Sequence, residues 1–391
     1  MLQVAVLGIV GPPVALLLGG NSFYYNYLVQ GRDPAVVMRA WLWLVYAMFV
    51  LAVLYRGLLR NRLLAYAGKP VEHQTHTRYF RFWCLSIGAA LACIFVLFAQ
   101  NGFSDPWLSA ASLNAQEFSA RRIELAGSVN MVVFDVGLHI FIAFAMVTAF
   151  FFIKRPFVSL VTLVVFAALL TFNLAKSPVA DTLMQLAMIY LLLRRASWKP
   201  VIFLFFGAAA LGLLMFVISK TDFTGVFEGF SARLFLGEFS DLPSYFRVFH
   251  NESVSLAAAL PGYIQSLFHL HETDPARAVM VYITKAKNMD KAGVANTFFI
   301  GSAYAYLGDI GALLAPFLVF ANFYLVTRIF TALRKNVFSV FMLGYLIYRL
   351  SNGFWSDIGY FLFSGIQISV IIFLLIKLFF DARKAKLAHG G

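Results

Sequence analysis

The chain has 391 residues, of which 61% are hydrophobic and only 13% charged, and its mean hydropathy is +0.80. This balance excludes a soluble globule, because there is too little polar surface to cover the apolar residues. The formal net charge of +13 would suggest nucleic acid in a soluble protein. Here it lies mostly in short connections and at the C-terminus, the pattern of cytoplasmic loops, so no nucleic-acid partner is expected.

A membrane-crossing helix needs about 20 residues, and roughly ten apolar runs approach that length, which predicts an all-α, polytopic membrane protein. The runs are continuous and do not alternate, which excludes a barrel. The first, about Leu2–Leu18, is interrupted by Gly11–Pro12–Pro13 and lacks a basic leader or cleavage motif. It is read as a retained span, followed by the interfacial tyrosines Tyr24, Tyr25 and Tyr27. The second, Val37–Leu54, leads into the densest basic connection (Arg56, Arg60, Arg62, Lys69, Arg78 and Arg81), which places the N-terminus inside.

Span three, Phe82–Phe98, returns outward to a loop, Asn101–Asn130, with an amphipathic stretch around Ala115–Leu125. Cys84 and Cys93 fall on different turns of this span and read as buried, inert thiols rather than a disulfide or a metal site. Spans four (Met131–Ile153), five (Phe157–Asn173), six (from Pro178 to Arg194) and seven (Val201–Ser219) follow. Then comes the one long polar segment, 220–296, expected as a periplasmic loop with surface helices. Spans eight (Gly308–Ile329), nine (Val337–Leu350) and ten (Gly359–Phe380) complete the chain. Basic residues recur at each inside end, so both termini are expected inside. Hydropathy thus divides the chain into an N-terminal bundle (1–219), the loop (220–296) and a C-terminal bundle (297–391).

The loop carries seven Lys and Arg against eight Asp and Glu, so position matters more than its net charge. Lys220 stands at the mouth of span seven. Arg233 lies in the amphipathic run Phe227–Phe239, suited to a surface helix. Arg247 sits among Tyr245, Phe246, Val248 and Phe249, apolar surroundings that strengthen a hold on an anion. Pairing with Glu228, Glu238 and Asp241 is the competing role, and each arginine alone fits both equally.

An ionisable group inside a bilayer costs about 2.5–3.5 kcal/mol on insertion scales, so it has a partner, a wet cavity or a task. Lys176 with Asp181, Asp135 with His139, Asp309, and Arg349 with Asp357 all fall at the outer ends of spans. Together they describe a polar chamber opening outward, the alternative being ion pairs that lock helices together. Asp135 and His139, four apart, are expected on one helix face. His250, His269 and His271 lack the spacing of a zinc site. No DxD-like dyad stands in metal-site context, so metal independence is expected.

The segment Ala295–Leu314, ANTFFIGSAYAYLGDIGALL, resembles the small-residue, Tyr and Gly-x-x-Gly pattern that follows the large periplasmic loop of O-antigen polymerases, the Wzy class. The Leu260–Pro261 turn, the Asp274–Pro275 step, Lys291–Ala292–Gly293 and an arginine early in the loop, Arg233, occur in the family's order. The likeness covers roughly Lys176–Phe320. It implies a GT-C-type glycosyltransferase, for which no cofactor is expected. Such an enzyme transfers a growing glycan from undecaprenyl pyrophosphate onto the non-reducing sugar of a lipid-linked repeat unit, at the periplasmic face of the inner membrane. Its partners would be undecaprenyl-pyrophosphate-linked glycans and membrane lipid, with a polysaccharide chain-length regulator as a further candidate.

Inverting transfer requires a base for the acceptor hydroxyl and cations for the departing pyrophosphate. Arg233, Arg247 and Lys176, then Arg349 and Lys220, are expected as the pyrophosphate clamp, because arginine forks match phosphate oxygens. His250, Glu238, Asp135 and Asp309 are candidate bases. Two other readings stay open. An O-antigen ligase uses the same donor, whereas a flippase would favour two similar halves and charges near the midplane.

Overall fold

The computed structural model describes Pro13 and residues 33–72, 75–103, 130–170, 172, 177–193, 239, 241–260, 262–270, 274–285, 295, 298–363, 367, 370 and 371. The expected first span apart from Pro13, the seventh, most of the tenth, the stretch around Ala115–Leu125, and Lys176, Lys220, Arg233 and Glu238 lie outside these residues. Among the described residues the protein is all-helical, without a strand.

In chain order the helices are α1 (Pro34–Leu54), α2 (Arg60–Gly68), α3 (His76–Gln100), α4 (Met131–Val136), α5 (Ala143–Val147), α6 (Pro156–Leu170) and α7 (Ser177–Leu193). Then follow α8 (Leu242–Val248), α9 (Gly262–Leu267), α10 (Pro275–Thr284), α11 (Phe299–Ala332), α12 (Val337–Asn352) and α13 (Gly359–Phe363). A π-helical stretch, Tyr55–Leu59, joins α1 to α2. Another, Gly137–Ile142, joins α4 to α5, and a third, Thr148–Ile153, ends that rod.

Among the described residues four helical stretches are long and apolar enough to cross a membrane: Pro34–Gly68, His76–Gln100, Val132–Ile153 and Phe299–Ala332. Pro156–Leu170, Asp181–Leu193 and Val337–Asn352 are shorter apolar helices. Several of them expose large apolar side chains, such as Phe49, Leu85, Phe95, Leu160 and Ile310, a surface suited to hydrocarbon rather than water. Cys84 is among the exposed residues and Cys93 is half-buried, both as free thiols. The first of these replaces the expected buried thiol, because Cys84 falls on an outward face of α3.

The chain forms two compact units. Met1–Asn61, Asp222–Val326 and Arg349–Gly391 make the first, and Arg62–Thr221 with Thr327–Tyr348 the second. Both are discontinuous in sequence, whereas hydropathy divides the chain into consecutive segments.

In the first unit, α1 begins where Asp33 Oδ1 accepts the Ala35 N–H at 2.9 Å and Pro34 takes the first turn. Ala40, Leu44, Ala47 and Leu51 follow at helical spacing and are buried. Phe299, Phe323, Phe354 and Phe361 form an aromatic cluster with centroids 5.6–6.4 Å apart. Helix α11 is broken near its start: Leu307 (φ −134°, ψ 15°) and Gly308 (φ 59°, ψ −145°) leave helical geometry.

The second unit packs through polar contacts set in an apolar bundle. Trp83 Nε1 donates to Thr162 Oγ1 at 2.8 Å, and Phe144 lies against Phe338 and Phe341. The π-helical stretch Gly137–Ile142 lengthens the bonding step and frees backbone groups. Gln185 Nε2 donates to the His139 carbonyl at 2.8 Å, while Gln185 Oε1 faces His139 Nδ1 at 3.3 Å.

At the end of this unit beyond α2, Lys335 Nζ donates to the carbonyls of Ala67 and Lys69, each at 2.8 Å. It lies 5.6 Å from the Tyr66 ring centroid. Lys335 thereby caps the carbonyl end of α2, a role suited to a cation. Burial pushes its ammonium down to about 8.

Candidate functional site

The first unit gathers its polar side chains where part of the long loop meets α1 and the broken start of α11. The break is written into Gly308–Asp309–Ile310–Gly311. Gly308 takes a positive φ that other residues rarely adopt. Gly311 is needed for space, since a Cβ there would sit 2.0 Å from the Ala303 carbonyl oxygen. A break strands carbonyls that have lost their helical donors. One of them, on Ala305, accepts the Val254 N–H of the loop at 2.9 Å.

Asp309, the residue after the break, meets Arg39 of α1. Arg39 Nη2 lies 2.7 Å from both Asp309 oxygens, with side-chain exposures of 37% and 57%. The guanidinium also rests 5.3 Å from the Tyr304 ring centroid and 5.9 Å from that of Phe246, and those two rings stand 4.3 Å apart. Helix α8 of the loop, α1 and the start of α11 therefore converge on one arginine, absent from the residues singled out by sequence. A signal was present, since Arg39 lies inside an apolar run.

A second cluster surrounds Asp357, in the connection between α12 and α13. Tyr306 Oη donates to Asp357 Oδ2 at 3.1 Å, and the Gly359 N–H donates to Oδ1 at 2.6 Å. Ser302 Oγ accepts the Ile358 N–H at 2.7 Å, tying this connection to α11. Burial pushes the Asp357 carboxyl up to about 6, with the Gly359 and Tyr306 donors opposing that rise. Asp274, which caps α10 by accepting the Ala276 N–H at 2.9 Å, adds a like charge that supports it. Among the described residues no lysine, arginine or histidine nitrogen lies within ion-pair distance of Asp357. Its expected partner Arg349 instead ends α12, where its carbonyl accepts from Tyr360 Oη at 2.9 Å.

Arg247, on α8, is exposed and lies 5.9 Å from the Tyr282 ring centroid of α10. His250 is exposed just beyond α8. Arg247, His250, Asp309, Arg349 and Asp357 all belong to the first unit. Asp135 and His139 belong to the second, with Asp135 half-buried and His139 buried. The π-helical stretch begins between them, so their four-residue spacing no longer follows the α-helical face that was expected.

Among the described residues no group of three or more His, Cys, Asp or Glu side chains could hold a metal ion. No protein-family model matches the chain, and neither a curated protein nor a solved structure matches it. What the fold defines is a helical membrane protein, carrying in one unit an ion-paired arginine and a carboxylate held by neutral donors, beside a folded loop.

Proposed function

We propose that this protein polymerises undecaprenyl-pyrophosphate-linked oligosaccharide repeat units into O-antigen or a related surface polysaccharide. It acts as a GT-C-like glycosyltransferase of about ten spans at the periplasmic face of the bacterial inner membrane, with both termini inside. The observation that carries this reading is the first unit's juxtaposition of loop and helix break. Cations on α1, α8 and α12 occur in the same unit as carboxylates on α11 and the α12–α13 connection. Transfer from a lipid pyrophosphate needs this pairing of anion-binding and proton-accepting groups beside apolar helices.

Arg233, Arg247 and Arg349 of the first unit are assigned to the pyrophosphate, where guanidinium forks match the oxygens of the leaving group. His250, Glu238 and Asp309 of the first unit are the candidate bases. Membrane lipid and a chain-length regulator are the partners this activity would engage.

Deletion of the gene followed by gel analysis of surface polysaccharide tests the reading. A core carrying one repeat unit without the longer ladder is expected. Core without any repeat would instead identify a ligase or flippase. Arg233→Ala and Arg247→Ala should each abolish chain lengthening at normal expression, and long chains from both variants would remove them from the clamp.

A further inference from the structure

We propose that Asp357 is the general base of the transfer reaction, accepting the proton of the attacking sugar hydroxyl. The inference rests on the glycosyltransfer reading and selects a base outside the candidates found from sequence. Its ground is the contrast between two carboxylates of one unit. Both oxygens of Asp309 lie against the Arg39 guanidinium. Those of Asp357 are held by a phenol and a backbone N–H, at 3.1 Å and 2.6 Å, and by no cation among the described residues.

A carboxylate oriented by neutral donors keeps further lone pairs for a substrate proton. Asp357 is half-buried rather than sealed. The structure fixes its position from two sides, by the Tyr306 hydroxyl from α11 and by the Gly359 N–H from its own turn. Among the described residues the titratable groups facing it are Tyr306 and Asp274, with Tyr245 of α8 acting on Tyr306. Asp274 and burial both favour a protonated carboxyl, and the Tyr306 donor favours the ionised one.

In the step itself the acceptor oxygen bonds to the donor's anomeric carbon as that carbon's bond to the pyrophosphate oxygen breaks. The lipid pyrophosphate departs with the electron pair. The proton moves to Asp357 and from there to solvent.

The test uses the full-length protein, purified and reconstituted with lipid-linked repeat units extracted from the deletion strain. Asp357→Asn should lower the elongation rate by about 10²–10⁴-fold, the range for loss of a positioned base. The parent's rate should fall as pH drops through about 6, the value to which burial raises the carboxyl. Tyr306→Phe removes a donor that favours the ionised form, so its acidic limb should move to higher pH.

Elongation by Asp357→Asn at the parent's rate would overturn the proposal. An unmoved limb in Tyr306→Phe would do so as well, and that variant decides the matter should the asparagine variant fail to fold. If the parent itself joins no repeat units, the polymerase reading fails first and the assignment of Asp357 falls with it.

Discussion

The break in α11 makes a prediction in which two glycines three residues apart fail for different reasons. Gly308 has open space beside it, with nothing within 4 Å of an added Cβ, but its φ of 59° and ψ of −145° are unfavourable for any L-residue. Gly308→Ala therefore costs backbone strain alone, about 1–3 kcal/mol. Gly311 carries no positive φ, yet its Cβ would lie 2.0 Å from the Ala303 carbonyl oxygen and 3.0 Å from Leu307 Cβ. Backbone must move there, so Gly311→Ala should cost at least as much, at or above the roughly 1–3 kcal/mol typical of overpacking. Because straightening one kink relieves both faults, the double variant should lose less than the sum. Gly308→Asn gives the sharpest discrimination. Asparagine tolerates a positive φ mainly with ψ near +30 to +60°, about a half-turn from that required here, so it should not outperform alanine. Equilibrium unfolding of purified protein in mixed micelles, followed by tryptophan fluorescence, measures all four. A Gly308→Ala variant as stable as the parent, or an asparagine variant clearly better than alanine, would refute the role given to this kink.

Three further outcomes follow from other contacts. A double-mutant cycle on Arg39→Ala and Asp309→Ala should give a coupling of about 0.2–1 kcal/mol, as for exposed pairs, and Gly308→Ala should abolish it; undiminished coupling would show that the kink does not place Asp309. Lys335→Met leaves the carbonyls of Ala67 and Lys69 without their charged donor, a loss of about 1.5–3 kcal/mol. For this lysine the folded value, about 8, lies below the ordinary 10.5. Between those values the unfolded chain binds more protons, so this group makes unfolding free energy rise with pH; Lys335→Arg should remove that rise while keeping the charge, as unfolding curves across the window would reveal.

Helices were legible where hydropathy and capping agree. The apolar run read as Val37–Leu54 is α1, Pro34–Leu54, whose start is set by Asp33 and Pro34. The run Met131–Ile153 is helical between the Asn130 cap and a left-handed Lys154. The start of α11 was not legible as a span: Phe299–Leu307 contains serine, alanine and two tyrosines that are buried by protein, so it needs no strong hydropathy. Asp274–Pro275 entered as a family-like step, while its local role is the cap and first residue of α10. The site was less legible because chain separation hides pairing. Asp309 lies 270 residues from its partner Arg39, and Arg349 and Asp357 share only their place at the outer ends of spans. No periodicity reports that Tyr306 is the donor to Asp357.

The helix break explains how such distant segments meet with few diagnostic side chains. An unbroken α11 would satisfy its own carbonyls and offer the loop only side chains. At the break, Ala305 presents a carbonyl that Val254 occupies through its backbone N–H, a contact compatible with nearly any side chain at residue 254. Ser302, one turn earlier, likewise accepts a backbone N–H, from Ile358. Tyr306 and Asp309 then diverge to different partners, Asp357 and Arg39. Two glycines thus create the acceptor geometry, while the loop answers partly with main chain. This division accounts for a site whose helix is conspicuous in sequence as Gly308–Asp309–Ile310–Gly311 but whose opposing loop segment, Asn251–Ser255, carries no comparable motif.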